Sequence, residues 1–382
     1  MTPSPFRTSE PDMTNQQNRL LSLDVMRGLT IALMIVVNNQ VGSGRMFPFL
    51  NHVLWDGLSF ADLVFPSFMF IMGVSAAFSL NKMPKRAAVH KSIMRGFKII
   101  IVGILLTWIA RGISGVENLL EFDTLRLTGV LVRLGVCYMF ASLIYLALGS
   151  GKKIIWVIVC ILLIYTLILI IFDGFQLSED NIIARIDRWA IGCEHMYHKR
   201  VGDTRICFDP EGLLSNLPGI AHVLIGMLCG NLIMKGKQDL WKTVSKLSLV
   251  GGALIILGFF FNPMVPINKN LWTPSFVFAT CGGAATTLAI LLWMLDIRKM
   301  RVPWLVKPAC VFGLNPLVLY CFSYLLEEFV WKININGQCF PDWFSMLFGG
   351  NEFGSLAYSI FLVLVCLAVG LPLYMKKIVI KL

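Results

Sequence analysis

A chain of 382 residues that is 57% hydrophobic and only 14% charged lies well below the roughly 25% charged share of soluble domains, which excludes an ordinary soluble enzyme. The length leaves room for one membrane domain and no second, soluble one. The formal charge of +11 is concentrated in short loops, which argues against nucleic acid as a partner.

Residues 1–18 are polar, with Pro3, Pro5 and Pro11 but no apolar core and no small-residue cleavage site. They read as a disordered cytoplasmic tail, not a signal peptide. Residues 19–382 read as one transmembrane domain. Ten apolar segments follow at 24–40, 60–80, 93–112, 127–149, 154–172, 213–234, 243–262, 273–295, 305–326 and 354–374, most of them near the ~20 residues a bilayer core requires. The expected fold is an all-α membrane protein with about ten helices in one bundle and both termini cytoplasmic.

The basic residues set the orientation. The N-terminal segment, the loops after the even-numbered helices and the C-terminal segment together carry 22 of the 33 Lys and Arg but only five of the 22 Asp and Glu. By the positive-inside rule that face is cytoplasmic. The opposite loops, 41–59, 113–126, 173–212, 263–272 and 327–353, are long and hold His52, His195, His198 and most carboxylates. Chemistry is therefore expected at the extracytoplasmic face, and in a bacterium the membrane would be the inner one.

The stretch from Asn38 to Gly73, NNQVGSGRMFPFLNHVLWDGLSFADLVFPSFMFIMG, joins the polar end of the first helix to the start of the second through a loop carrying His52. An imidazole held there beside carboxylates suits general base chemistry, although an interfacial histidine capping a helix end reads the same way. Asp56, four residues on, and Asp62, in the first turn of the second helix, are the two candidates to orient the ring. Asn38 and Asn39 end the first helix, either as caps or as amides that polarise a carbonyl. At its other end Ser22, Asp24 and Arg27 fit an N-terminal cap and an i,i+3 ion pair.

Further along, Arg126 and Arg133 are seven apart and are expected on one helix face. Arg133, inside an apolar run, needs a partner there, either an anionic ligand or a buried acid such as Asp62. His195 and Tyr197 in EHMYHKR, Asp209 and Glu211 in DPEGLLSNLPG, and Asn268, Lys269 and Trp272 in INKNLWTPSF place carboxylates, amides and flat rings on one face, as a sugar site requires. With Trp55 and Asp56 they are candidate substrate-binding residues, though an aromatic interface belt would look similar. Cys193 and Cys207 could close a disulfide, and no CxxC spacing suggests a metal. Gly73 and Ala77 suit close helix packing. Pro66 and the GLNP run around Asn315 should bend their helices.

These blocks resemble one family. RLLSLDVMRGLTIALMIVVNN, NHVLWDGLSFADLVFPSFMFIMG, VRLGVCYMFASLIYL, DPEGLLSNLPGI, INKNLWTPSFVFATCGGA and GLNPLVLY, in this order, are similar to the heparan-alpha-glucosaminide N-acetyltransferases. The resemblance implies transfer of acetyl from cytosolic acetyl-CoA, a co-substrate, to the amine of a glucosamine-like sugar across the bilayer, with no metal. It implies His52, ahead of Trp55, Gly57 and Leu58, as the catalytic histidine and Asn38 as the active-site asparagine; acyl-transfer chemistry adds Asp62, or Asp56, as the acid that orients the ring. Arg133 and Asn315 are expected along the CoA path. A missing lumenal domain and leading helix suggest a minimal, bacterial-type member, for which heparan sulfate itself is a doubtful acceptor. Direct transfer and an acetyl-His52 relay both remain open, as does a homodimer. A polytopic transporter of sugars or acylated sugars, and a scaffold that keeps only the fold, are the competing classes.

Overall fold

The second helix starts where its sequence says it should. Ser59 precedes the apolar run FADLVFPSFMFIMG, and its hydroxyl accepts from the Asp62 backbone N–H while the Asp62 carboxylate accepts from the Ser59 N–H. This reciprocal capping box satisfies two N–H groups that a helix start leaves orphaned.

In this computed structural model, which describes residues 20–41, 46–115, 122–149, 151–201 and 204–380, the chain is an all-α membrane protein. The helices are α1 (Leu21–Asn38), α2 (Phe60–Leu80), α3 (Lys85–Ile113), α4 (Val130–Leu148) and α5 (Gly151–Ile171). A short α6 (Ile182–Ile191) and an antiparallel hairpin, β1 (His198–Val201) and β2 (Thr204–Cys207), lead to α7 (Asn216–Lys235), α8 (Leu240–Phe261) and α9 (Pro274–Leu291). The rest comprises α10 (Pro303–Leu314), α11 (Pro316–Trp331), a two-residue hairpin of β3 (Asn334–Ile335) and β4 (Gln338–Cys339), α12 (Phe340–Leu347) and α13 (Glu352–Met375). The expected tail at 1–18 lies outside the described residues.

Nine of these helices are long and apolar enough to cross a bilayer. The expected ninth segment is a broken pair, bent at the GLNP run as expected: α10 and α11 meet at 87° around Asn315, where Pro316 cannot supply the N–H that would continue the helix. At Pro66 the helix is not broken, and α2 runs through it as one element. The Pro66 carbonyl accepts from Nε2 of the buried His222 at 3.0 Å. The α1 start also departs from the sequence reading. Ser22 is not the cap; Asp296, from the turn after α9, accepts from the Leu21 and Ser22 N–H groups at 3.2 Å. The expected Asp24 to Arg27 pair is present at 3.2 Å.

The core consists of α2, α7 and α9, with α3, α5, α8 and α13 at the periphery. Glycine decides how closely α2 and α7 approach. A methyl group on Gly73 would fall 2.3 Å from the Val223 carbonyl oxygen, and one on Gly226 would fall 2.3 Å from that of Phe70. Backbones this close gain dispersion contacts that larger residues would forbid. Gly226→Leu is expected to cost about 1–3 kcal/mol or more through overpacking, read as a lower melting temperature of the purified protein, whereas Gly283→Leu, facing open space, should leave it unchanged.

Candidate active site

The loop ahead of α2 is pinned from several sides. The Val53 N–H donates to Asp62 Oδ2 at 3.2 Å and the Gly57 N–H to the Ile267 carbonyl at 2.8 Å. Gly57 holds φ at 127°, a conformation that side chains resist. Asp56 pairs with Asn268, whose Nδ2 donates to its carboxylate at 2.9 Å. Trp55 donates from its indole N–H to the Phe175 carbonyl at 2.8 Å and meets the Phe208 ring edge-on.

This scaffold presents His52. Its Nδ1 lies 2.8 Å from Asp62 Oδ1, and Asp62 is only 1% exposed. Of the two candidate orienting acids, the structure therefore places Asp62 on the ring and commits Asp56 to Asn268. The capping box fixes the carboxylate, so one residue both starts the helix and holds the imidazole. Lys269 completes the cluster: its ammonium lies 3.0 Å from His52 Nδ1 and 3.2 Å from Asp62 Oδ1. Burial pulls the Lys269 ammonium below its usual pKa, with Asp62 opposing.

His52 lines a cavity of about 420 Å³ together with Asn38, Tyr197, Lys199, Glu211 and Lys269, over an apolar floor that includes Met34, Val64 and Phe65. The ring's Nε2 has no protein partner among the described residues. Burial, and then the charge of Lys269, push the Lys199 ammonium down to about 8, so the cavity wall is cationic at neutral pH.

Arg126, which lines the same cavity, stands ahead of α4 and does not share a helix face with Arg133, because Gly129 at φ 137° starts the helix later. It donates to Asp209 at 2.7 and 2.9 Å and to Glu211 at 2.7 Å. Asp209, fully buried, also accepts from the Thr128 hydroxyl and the Tyr197 N–H. Burial would raise its pKa, but Arg126 and these donors outweigh it and hold the carboxyl low.

The other expected site residues lie apart from this cavity's lining. Nδ1 of His195 donates to the Leu125 carbonyl at 2.7 Å. Trp272, at φ 54°, is buried under the Arg133 guanidinium, 4.8 Å from the ring centre. Arg133 donates to the Ser215 hydroxyl and not to Asp62. Asn315 uses both ends of its amide on the C-terminal segment, donating to the Ile378 carbonyl and accepting from the Ile380 N–H, each at 2.8 Å. Cys193 and Cys207 are joined as a disulfide. Sequence reading missed Lys269 as a direct neighbour of His52 and Arg126 as a cavity residue; only the INKN and RLT stretches flanking helix starts hinted at either.

A second cavity, about 340 Å³, opens at the basic end between α1, α2, α3, α4 and the α10–α11 break, with Arg27, Lys91 and Arg95 in its wall. The two cavities follow the same faces. On α2, Ala61, Val64 and Phe65 line the first and Phe68, Met72 and Ser75 the second, a single stripe at helical spacing. On α4 the corresponding neighbours are Val130 and Leu134, one turn apart.

A buried carboxylate held against an imidazole in a chamber at one end of a membrane bundle marks the candidate site of a multi-pass membrane protein. The family model described as "Heparan-alpha-glucosaminide N-acetyltransferase, catalytic" matches residues 19–261. The chain belongs to that family. The heparan-alpha-glucosaminide N-acetyltransferases of Homo sapiens and Mus musculus are each 26% identical to it, over 379 and 377 residues, covering 83% of this chain and 55% of theirs. The chain thus spans about half the length of these curated relatives. Asn38, His52 and Asp62 fall inside the family match, and Lys269 lies just beyond it.

Proposed function

We propose that this protein moves an acetyl group from acetyl-CoA, entering at the basic, cytoplasmic end, to the amine of an amino sugar bound in the His52 cavity on the opposite side. The observation that carries this reading is the stacking of the two cavities along one stripe of α2. From Ala61 to Ser75 that stripe is about 21 Å long at the helical rise of ~1.5 Å per residue, and only the Phe65 to Phe68 turn lies between the chambers.

The basic-end cavity suits an anionic CoA head. Arg95 lines it, lies 4.9 Å from the Tyr138 ring centre, and has a buried Nε–H with no partner among the described residues. Arg27 and Lys91 add charge, although each is already bonded, to Ser75 and Ser79 respectively. Asn315 lines this cavity and shapes its mouth through its hold on the C-terminal segment. Arg133 lies over the Trp272 ring and lines neither chamber.

In the chamber, the acceptor nitrogen attacks the thioester carbonyl. Nε2 of His52 takes the amine proton as the N–C bond forms, and Asp62 stabilises the imidazolium that results. Asn38 donates to the carbonyl oxygen as it gains charge. When the C–S bond breaks, the same proton passes to the departing thiolate, which leaves the base ready for another cycle. Tyr197, Glu211 and Lys269 remain as acceptor-binding groups, with hydroxyl, carboxylate and ammonium matched to sugar hydroxyls and to a ring oxygen.

The test is a product screen: reconstituted protein, acetyl-CoA supplied on one side, a panel of amino sugars on the other. CoA release coupled to N-acetyl sugar is the expected result. Sugar counterflow without any dependence on acetyl-CoA would replace this reading with transport. Asn38→Ala is expected to lower kcat by about 10²–10³-fold, the usual loss for one oxyanion donor, while KM for acetyl-CoA changes little. An unchanged kcat would remove Asn38 from the mechanism.

A further inference from the structure

One cavity with a defined polar lining has no part in this scheme. It holds about 880 Å³ at the basic end and shares no lining residue with either of the stacked chambers. Its floor is one face of the last turns of α7, Leu228, Asn231, Leu232 and Lys235, and its walls are the ends of α2 and α4 and the first two turns of α8. On α2 and α7 its lining begins at Leu80 and Leu228, and His52 is not part of it.

We propose that this cavity is a binding site for a phosphate-bearing ligand, distinct from the donor path. Four ammonium groups, on Lys85, Lys235, Lys242 and Lys246, surround it against one carboxylate, Asp239. That carboxylate is engaged as the N-cap of α8, accepting from the Lys242 backbone N–H at 2.9 Å. None of the four lysines has an ion-pair partner among the described residues. A phosphate, with one or more negative charges and several acceptor oxygens, matches this excess of donors.

The floor adds a second, independent feature. Asn81 donates to the Tyr145 hydroxyl at 2.7 Å and to Asn231 Oδ1 at 3.1 Å, and Tyr145 donates to the same oxygen at 2.7 Å. This closed network fixes the Asn231 amide and leaves its N–H groups without a protein partner among the described residues. Simple enrichment of basic residues at one membrane face places lysines there, but it does not build a three-membered polar floor beneath them.

Phosphate could come from a soluble compound or from a lipid headgroup. The cavity wall favours a lipid, because apolar Leu80, Leu146, Leu228 and Leu232 alternate with the polar groups. The flanking α5 and α8 are among the most outward-facing helices of the bundle. Basic pockets between helices at this membrane face hold anionic headgroups by the same combination of charge and apolar contact.

The experiment uses the full chain in neutral detergent. Native mass spectrometry with phosphatidylglycerol against phosphatidylcholine, and thermal shift with inorganic pyrophosphate, separate the two sources. Selective retention of phosphatidylglycerol with a rise in melting temperature supports the lipid arm, and a shift with pyrophosphate alone supports the soluble arm. The triple variant Lys235→Gln, Lys242→Gln, Lys246→Gln should lose about tenfold in retention. The matched variant Lys82→Gln, Lys152→Gln, Lys153→Gln removes the same charge from the same face outside the cavity, and should bind as before. Equal losses in both variants, or no binding of either probe, would overturn the proposal. Acetyl-CoA binding by the cavity variant should be unchanged; its loss would show that the donor uses this cavity, and would likewise overturn a separate site.

Discussion

His52→Ala is expected to reduce acetyl transfer by about 10³-fold or more, in line with removal of a base whose partners survive. The ring is 39% exposed and its protein contacts are Asp62 and Lys269, so the fold should not depend on it. A melting temperature within a degree or two of the parent, alongside lost turnover, is the result that assigns the loss to chemistry. His52→Gln keeps a polar side chain of similar reach and should be equally inactive, because an amide accepts no proton near neutral pH. Parent-like turnover in either variant would dismiss the centre.

Asp62→Asn should be nearly as severe, with about 10³–10⁴-fold lost from kcat. An amide at that position can donate to Nδ1, which drives the imidazole proton onto Nε2 and leaves the catalytic nitrogen without its lone pair. The variant also removes the negative partner of the buried Lys269 and weakens a helix start, so a control is needed. Ser59→Ala supplies it. That change removes the hydroxyl of the capping box, at a cost of about 1 kcal/mol, together with its bond to Asp62 Oδ2, while the Val53 and Ser59 N–H groups still hold that oxygen and Oδ1 still faces His52. Stability should fall in both variants and kcat should collapse only in Asp62→Asn. If both lose activity in parallel with stability, Asp62 is a structural residue and the orienting role is withdrawn.

The spans were legible because composition and length identify membrane helices almost without regard to tertiary contacts. The same holds for the His52 and Asp62 pair: ten residues apart, joined by a loop and a helix start, they are close by local geometry. Contacts across the chain were not legible. Lys269 is more than two hundred residues from His52, and nothing in INKNLW says which of its polar groups turns inward. Asp209 and His195 have the right chemistry for a sugar site, but each satisfies its hydrogen bonds within the outer loops, where buried backbone and cations compete for the same acceptors. Arg133 illustrates the limit from the other side. Of the partners expected for it, Asp62 is taken by His52, and Arg133 meets a ring face and a hydroxyl.

The turn of α2 between Phe65 and Phe68 carries a consequence for the cell. A bilayer that stores an ion gradient tolerates no open water column, and two chambers placed end to end would otherwise form one. Phe65 and Phe68 at the junction suit a dewetted apolar constriction of the kind that blocks ions. Substituting Phe68 with a small polar residue should therefore make vesicles leaky to protons, a toxicity that would fall on the membrane's energy supply and have nothing to do with sugar chemistry.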